Sequence, residues 1–404
     1  MLIELRIRPG QFKISSMIGQ VADEFRFSSR QVHRVPHLTL YGNFQTNDVN
    51  KVIKVLENLG KKRDGLSYLI DGFRQLDSEK GKVIYFNIVP SDDLTQFRHD
   101  LSNKLRKFAP SVKPFDYEKQ FKFHITLCFK LSDHEARKVM LYTDVPPKDH
   151  PDYRPLGQFH FSLDALRLTF LGNDSRIICE YDMMQKRILT RREALSRKTW
   201  KKTYEIYRNK NDFEVNDVRY SSKPQTYLIS DLHFDHENII RYCARPFSDV
   251  EEMNKVLVEN WNRIVSPNDT VYFLGDMSYG RDSHSSSFWV KKLNGKIVFI
   301  PGNHDRGIEN MPNYQILEHG NHRFLLIHNP HKIPIKWDGW IIHGDKHNND
   351  LRTYQFINRK NKTVNVSCEI IGYKPINLEE IIRQLHNEQI LMSKPRFISV
   401  WKSK

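Results

Sequence analysis

Two sets of residues in this 404-residue chain have the types and spacing for chemistry, and they lie in different halves. The first is a repeated His-x-Thr: His37-Leu-Thr39 and His124-Ile-Thr126. The second is an ordered series of nitrogen and oxygen donors: Asp231 and His233, Asp276, Asn303 and His304, His328, then Asp345 and His347. Imidazole titrates near neutrality, so a facing pair of histidines can supply one general base and one general acid. Threonine hydroxyls beside them can hold the non-bridging oxygens of a phosphodiester. That chemistry needs no metal. The second series offers donors suited to Mn, Fe, Zn or Ni, and a carboxylate such as Asp276 can bridge two ions. It suits metal-assisted hydrolysis of a phosphate ester.

Each set needs elements that aim it. In a strand, residues i and i+2 share a face. His37 and Thr39 therefore project together with Leu38 and Leu40 packed behind, and His124 and Thr126 do the same over Ile125 and Leu127. With 18 histidines in the chain, roughly one His-x-Thr arises by chance at ordinary threonine usage. A single copy would read as a structural histidine. Two copies, both followed by Leu inside apolar runs, favour a site. Strands are expected at 2–8, 36–41, 83–88, 122–129 and in a hairpin of 166–171 with 177–181; helices are expected at 47–59 and 91–108. This order predicts an α+β domain over 1–184.

In the second half, short apolar runs at 226–230, 270–274, 296–300, 323–328 and 339–343 read as buried strands, with a helix at 250–264. The donors follow these strands directly, where open α/β sheets place their sites. An α/β layered domain is expected over 224–404. Five donor groups in order at strand ends are hard to reach by chance. Arg245, Arg241 and His236 stand close to the first ligands and are candidate substrate contacts; a local hydrogen bond or surface charge is the competing reading for each.

Residues 185–223 read as a basic helical connector. They carry +7 of the chain's net +15, a bias that attracts polyanions without sequence preference. Trp200, Tyr204 and Tyr207 are interleaved with the basic residues. Such aromatics can stack on bases or pin the helix to a domain, and the second is expected for Trp200. Composition is globular, and no apolar run approaches the roughly 20 residues of a membrane span. The N-terminus reads as a first strand rather than a signal peptide, so a cytoplasmic protein is expected. The four cysteines are widely spaced and form no CxxC; buried, reduced thiols are expected.

HLTL and HITL resemble the two motifs of the 2H phosphoesterases, in particular the 2′–5′ RNA ligase-like, cyclic-phosphodiesterase branch, over about residues 1–183. The resemblance implies a bilobal 2H fold with a central cleft, and opening of 2′,3′-cyclic phosphates at RNA ends, usually to a 2′-phosphate. It makes His37 and His124 acid and base, in either order, and Thr39 and Thr126 phosphate binders, with no cofactor. The segment DLHFDHENIIRYCARPF, the LGD and PGNHD groups and YKPINLEEI resemble calcineurin-like metallophosphoesterases over about 224–385. That implies a two-sheet sandwich holding two divalent ions, Mn foremost. One ion would take Asp231, His233, Asp276 and His347; the other would take Asp276, Asn303, His328 and the position of Asp345. His304 would stand beside the scissile phosphate. The family usually has Gly-His-x-His where this chain has Gly344-Asp345-Lys346-His347. A carboxylate there turns the second ion site toward harder ions such as Mn, or Lys346 neutralises it.

Together these readings predict a two-domain enzyme processing RNA ends. Degradation of cyclic or dinucleotide signals is an alternative. An RNA-binding module with a weakened metal site is another. No protein or membrane partner is indicated.

Overall fold

The computed structural model describes residues 1–8, 11–28, 31–32, 35–118, 121–144, 160–213, 223–305, 311–333 and 335–386. The chain divides into two compact units, Met1–Tyr207 and Arg208–Lys404. No helix among the described residues is long and apolar enough to cross a membrane.

The first unit runs β1 (Leu2–Arg6), α1 (Gln11–Glu24), β2 (His37–Gly42), α2 (Val49–Gly60), β3 (Leu66–Ser78), β4 (Gly81–Pro90), α3 (Asp92–Leu105), β5 (His124–Leu131), α4 (Asp133–Asp144), β6 (His160–Ala165), β7 (Arg167–Leu171), β8 (Ile177–Asp182), β9 (Arg187–Thr190), α5 (Arg191–Ala194) and α6 (Arg197–Lys210). Its strands form two antiparallel sheets, β2-β1-β7-β8-β9 and β5-β4-β3-β6. Each His-x-Thr begins an edge strand, β2 of one sheet and β5 of the other, and β2 and β5 pack together. The expected strands lie within a few residues of these. β3 was not expected, because Asp71-Gly72 interrupts its pattern. The structure absorbs that pair in a register shift between Ile70 and Phe73, with Gly72 at φ 69°.

The expected connector over 185–223 is not a separate element at its start. Asp182 accepts hydrogen bonds from the Met184 and Gln185 amides and turns the chain. Residues 187–190 then add β9 to the first sheet. Thr190 and Glu193 close a capping box that ends β9 and starts α5. In α6, Trp200, Thr203, Tyr204 and Tyr207 are buried at helical spacing, while Lys198, Lys201 and Lys202 face solvent. The unit boundary falls inside α6.

The second unit contains β10 (Thr226–Ile229), α7 (Glu237–Tyr242), α8 (Val250–Ile264), β11 (Thr270–Phe273), α9 (Ser286–Val290), β12 (Lys296–Phe299), β13 (Tyr314–His319), β14 (His322–Ile327), β15 (Trp340–His343), β16 (Ile357–Asn358), β17 (Thr363–Asn365), β18 (Ile376–Asn377) and α10 (Leu378–His386). Two sheets form, β12-β11-β10-β18 and β13-β14-β15-β17-β16. Strands β10, β11 and β12 are parallel, as are β14, β15 and β17. Leu228 and Leu274 from the first sheet pack with Phe324, Leu326, Ile342 and Val364 from the second in one buried cluster. The layers are thus the expected two-sheet sandwich. Six parallel strands end along one edge, and the donors follow five of those ends.

Candidate functional site

The candidate residues fall into two clusters, one in each unit. In the first unit, His37 and Thr39 alternate with the fully buried Leu38 and Leu40, and His124 and Thr126 with Ile125 and Leu127. Both histidines are held alike: Nδ1 of His37 donates to the Val35 carbonyl at 2.9 Å, and Nδ1 of His124 to the Lys122 carbonyl at 2.9 Å. Each carbonyl lies two residues back, so the same local geometry fixes both rings and directs Nε2 outward. Burial pushes the His124 imidazole below its ordinary value, and the charges of His37, Lys113 and Lys122 push the same way against its bond to the Lys122 carbonyl.

The surroundings of the two rings differ. The buried Glu4 carboxylate lies 4.0 Å from His37 Nε2 and also pairs with Arg6 at 3.0 Å. His124 instead meets the edge of the Tyr85 ring at 5.4 Å. The Tyr85 hydroxyl is buried without a hydrogen-bond partner among the described residues. Neither Glu4 nor Tyr85 carries a motif. Only the pairing register, Glu4 with Thr39 and Tyr85 with Thr126, places them on the faces that hold the site.

A polar row crosses the first sheet on the His37 face, through Thr39, Glu4, Thr169 and Glu180. Arg167, two residues before Thr169, shares that face. It is buried and bonds Asp182 at 2.9 Å, Glu180 at 3.3 Å and the Thr203 hydroxyl at 2.6 Å, with Trp200 stacked 3.6 Å over its guanidinium. Helix α6 is therefore anchored on the His37 face of the sheet. Trp200 is spent on that anchorage, its indole NH on the Ala194 carbonyl.

In the second unit, all seven candidate ligands come together. Asp276 is central: its Oδ2 lies 3.4 Å from Nε2 of His233 and 3.4 Å from Nε2 of His328. Asp231 Oδ1 lies 3.6 Å from His347 Nε2, and Asp345 Oδ1 lies 3.6 Å from His328 Nε2. Asn303 Oδ1 is 2.9 Å from His328 Nε2. Asp231, His233 and His347 offer one ligand set, and Asp231, Asp276 and His328 another. His304 approaches Asp276 at 4.0 Å, is half-exposed and packs on Tyr279 at 4.3 Å.

The backbone marks the same cluster. Asp231, His233, Asp276, Asp345 and His347 all have left-handed φ, between 48° and 64°. Non-glycine residues there cost on the order of 1–3 kcal/mol each, and such strain collects at functional sites. At Gly302 an added methyl would collide with the Asp276 carboxylate, so that close approach requires glycine.

Outer partners orient the ligands. His328 Nδ1 donates to the Leu274 carbonyl at 2.6 Å, leaving Nε2 for the site. His347 Nδ1 donates to Glu369 at 3.1 Å. Asp305 accepts from the amides of Asp276, Met277 and Gly302 and ties two ligand loops together. Burial opposes protonation of His328, but Asp276, Asp231 and Asp345 outweigh it and raise the imidazole to about 9. Burial pushes His233 well below the usual value, aided by His347 and Arg245. Both His233 ring nitrogens are buried with no hydrogen-bond partner among the described residues. Orphaned nitrogens beside three carboxylates are the chemistry of a cation site, so the donor set fits divalent metal ions.

Several sequence readings change here. Arg245 is fully buried and cannot touch substrate. Its guanidinium binds Glu369 at 2.6 and 2.8 Å and the carbonyls of Asp231 and Leu232 at 2.7 and 2.8 Å, clamping the first ligand loop. Arg241 is half-exposed and lies 3.5 Å from Glu237 one helical turn back. His236 stays beside the site, with rings of His233 at 5.5 Å and Tyr279 at 4.8 Å. Burial, with Arg245 and His304, pushes it down to about 4. Asp345 reaches the site but is ion-paired with Lys346. Asp235 accepts from the His284 amide, the Trp289 indole and the Asn254 amide, a structural knot. Glu369 was missed, although it follows the parallel strand β17 as the ligands follow theirs. All four cysteines are free and buried, as expected; Cys243 lies within ligand reach of His347 and Glu369.

A two-sheet domain with paired His-x-Thr strands and a sandwich with a cation site at its strand ends define two phosphoesterase domains. Residues 13–171 match the model of the 2′-5′ RNA ligase superfamily and residues 225–392 that of the calcineurin-like phosphoesterases; the chain belongs to both families as a fusion. It is 47% identical over 172 residues to the Methanocaldococcus jannaschii protein MJ1445, covering 42% of this chain and 96% of that one. It is 37% identical over 84 residues to the Gene 66 protein of Mycobacterium phage L5, covering 20% of this chain and 39% of that one. Among solved structures, AQ665 of Aquifex aeolicus aligns at TM-score 0.32 and 28% identity, over 40% of this chain and all of that one. The E. coli phosphoesterase Yfce aligns at TM-score 0.21 and 16% identity, over 35% and 78%. With TM-scores this low, the fold rests on the chain's own sheets.

Proposed function

We propose that the chain processes RNA ends: the first domain opens a terminal 2′,3′-cyclic phosphate to a 2′-phosphate, and the second hydrolyses a phosphate ester with divalent ions. The observation that carries the RNA reading is α6. Its exposed Lys198, Lys201 and Lys202 stand on a helix fixed to the His37 face of the first sheet. A basic rim there holds the backbone leading to a reacting end.

In the first domain, His124 is the base and His37 the acid. Burial disfavours the charged form of the His124 imidazole, which suits a proton acceptor. Glu4 offers a counter-ion for an imidazolium at His37. Water adds its oxygen to phosphorus and gives its proton to His124 Nε2; the bond from phosphorus to the 3′-oxygen breaks, and His37 Nε2 protonates that oxygen. Thr39 and Thr126 donate to the non-bridging oxygens.

In the second domain, Asp231, His233, Asp276 and His347 would hold one ion, and Asp276, Asn303, His328 and Asp345 the other. When bound, such ions supply Lewis-acid charge and an activated water. Mn is preferred because Asp345 adds a hard oxygen donor. His304 stabilises the phosphate or protonates the leaving oxygen, and Arg245 and Glu369 keep the ligand loops in place.

An oligonucleotide ending in a 2′,3′-cyclic phosphate, incubated with Mn or with chelator, tests the proposal. Opening is expected to survive chelation and to be lost in His37→Ala and His124→Ala. Ester hydrolysis by the second domain is expected to require metal and to be lost in Asp276→Ala. Turnover by neither domain would refute it.

A further inference from the structure

Beside Asn303 and His328 the second unit has a cavity of about 350 Å³. Small-molecule sites span roughly 300–1,000 Å³, so this one admits a nucleoside-sized group. Its apolar wall is Pro301, Pro312, Tyr314 and Ile327. Tyr314 and Ile327 are direct cross-strand partners on β13 and β14, so they share one face. That gives a rigid floor with a flat aromatic ring.

Polar groups line the rim. Directly after His328, Asn329 accepts the His331 amide with its side chain and the Lys332 amide with its carbonyl. This turn sets Lys332 at the mouth, a few residues from a metal-ligand position. The exposed Lys332 ammonium and Asn313 amide have no hydrogen bond or ion pair among the described residues. A cavity next to a phosphoester centre, with a flat apolar floor, the Asn313 amide and a cation that no described residue pairs, matches one kind of occupant. A base stacks on Tyr314, amides meet its edge, and the cation meets a second anionic group.

We infer that this cavity is the subsite for the nucleoside next to the scissile phosphate, with Lys332 binding the following phosphate of the strand. The metal site thus takes a phosphodiester of an oligonucleotide in preference to a lone phosphomonoester. The inference rests on the proposed hydrolytic role of this domain and names its substrate class.

The test uses the full chain and two thymidine trinucleotides. In both the first linkage is phosphate; the second is phosphate in one and neutral methylphosphonate in the other. Equilibrium binding is measured in chelator, and kcat/KM with Mn. The charged trinucleotide is expected to bind the wild type about fivefold more tightly, the upper range for a solvent-exposed ion pair. Lys332→Ala is expected to erase that difference and Lys332→Arg to retain it, with the same ratios in kcat/KM. Hydrolysis of bis(p-nitrophenyl) phosphate, which has no second charge, is expected to stay within about twofold. A charge preference that is absent in the wild type or unchanged in Lys332→Ala overturns the subsite. Binding with the preference but no hydrolysis of any ester with Mn instead overturns the hydrolytic role.

Discussion

Replacing Arg245 separates two readings of the same residue. A substrate-binding arginine, once lost, raises KM and leaves stability alone. The structure gives Arg245 a different task. It is fully buried and bridges Glu369 to the carbonyls of Asp231 and Leu232. In Arg245→Ala, Glu369 remains buried with only His347 to balance it, and breaking such a pair from one side costs about 3–5 kcal/mol. The Leu232 carbonyl loses its donor, at about 1–3 kcal/mol, while the Asp231 carbonyl keeps the Cys368 thiol at 3.2 Å. These losses share one loop and do not add fully, so about 4–6 kcal/mol is expected for the second unit. At about 2–4 °C per kcal/mol for a domain of this size, its melting midpoint falls by roughly 10–20 °C. Glu369, the partner of His347, is also no longer held by Arg245, and loss of such outer support costs about 10–100-fold in metal affinity. Calorimetry in chelator reads the first effect, and Mn titration below the new midpoint reads the second. Arg245→Lys keeps the charge but not the planar fork and is expected to fall between. An Arg245→Ala protein with wild-type melting and Mn affinity, changed only in KM, would refute the clamp.

Three further outcomes follow from the geometry. Because His124 must be unprotonated to act as base and its value is depressed, the acid limb of kcat/KM for cyclic-phosphate opening is expected below the ordinary imidazole value of 6.5; Lys113→Met removes one of the depressing charges and moves that limb upward in a pH-rate profile. Lys346 competes with a cation for the Asp345 carboxylate, so Lys346→Met is expected to tighten Mn binding several-fold, read by titration, and unchanged or weaker binding would show that Asp345 is not a ligand. Replacing Lys198, Lys201 and Lys202 with Ala is expected to lower the slope of log affinity against log salt for single-stranded RNA by roughly 2, at about 0.7 per contact; an unchanged slope would remove α6 from the RNA path.

How much was legible in the sequence differs between the domains for physical reasons. The His-x-Thr residues sit in regular strands, where a period of two fixes which side chains share a face, and the alternation of half-buried and buried positions follows it. Their partners Glu4 and Tyr85 were not legible, because strand register decides them and register depends on the distant strands β1 and β4. In the second domain the long helix α8 has the expected bounds of 250–264, since a capped amphipathic run is a local signal. Arg245 was misread because a basic residue near ligands resembles a substrate contact until burial is known. Glu369 was missed because it follows a three-residue strand, too short to register as a periodic run.

The two sites also differ in what holds them. The proposed acid–base site uses ordinary strand backbone and can be complete as folded. The cation site gathers left-handed ligand residues, the orphaned His233 nitrogens and the buried carboxylates of Asp231 and Asp276. Each of these is unfavourable until a cation compensates it. Anything that binds only the folded form stabilises it by mass action, about 2.7 kcal/mol at a hundredfold excess over Kd. The second unit should therefore melt at a higher temperature with Mn than with chelator, while the first should not respond. Equal shifts in both transitions, or none in the second, would mean that the strained loops are not a metal site.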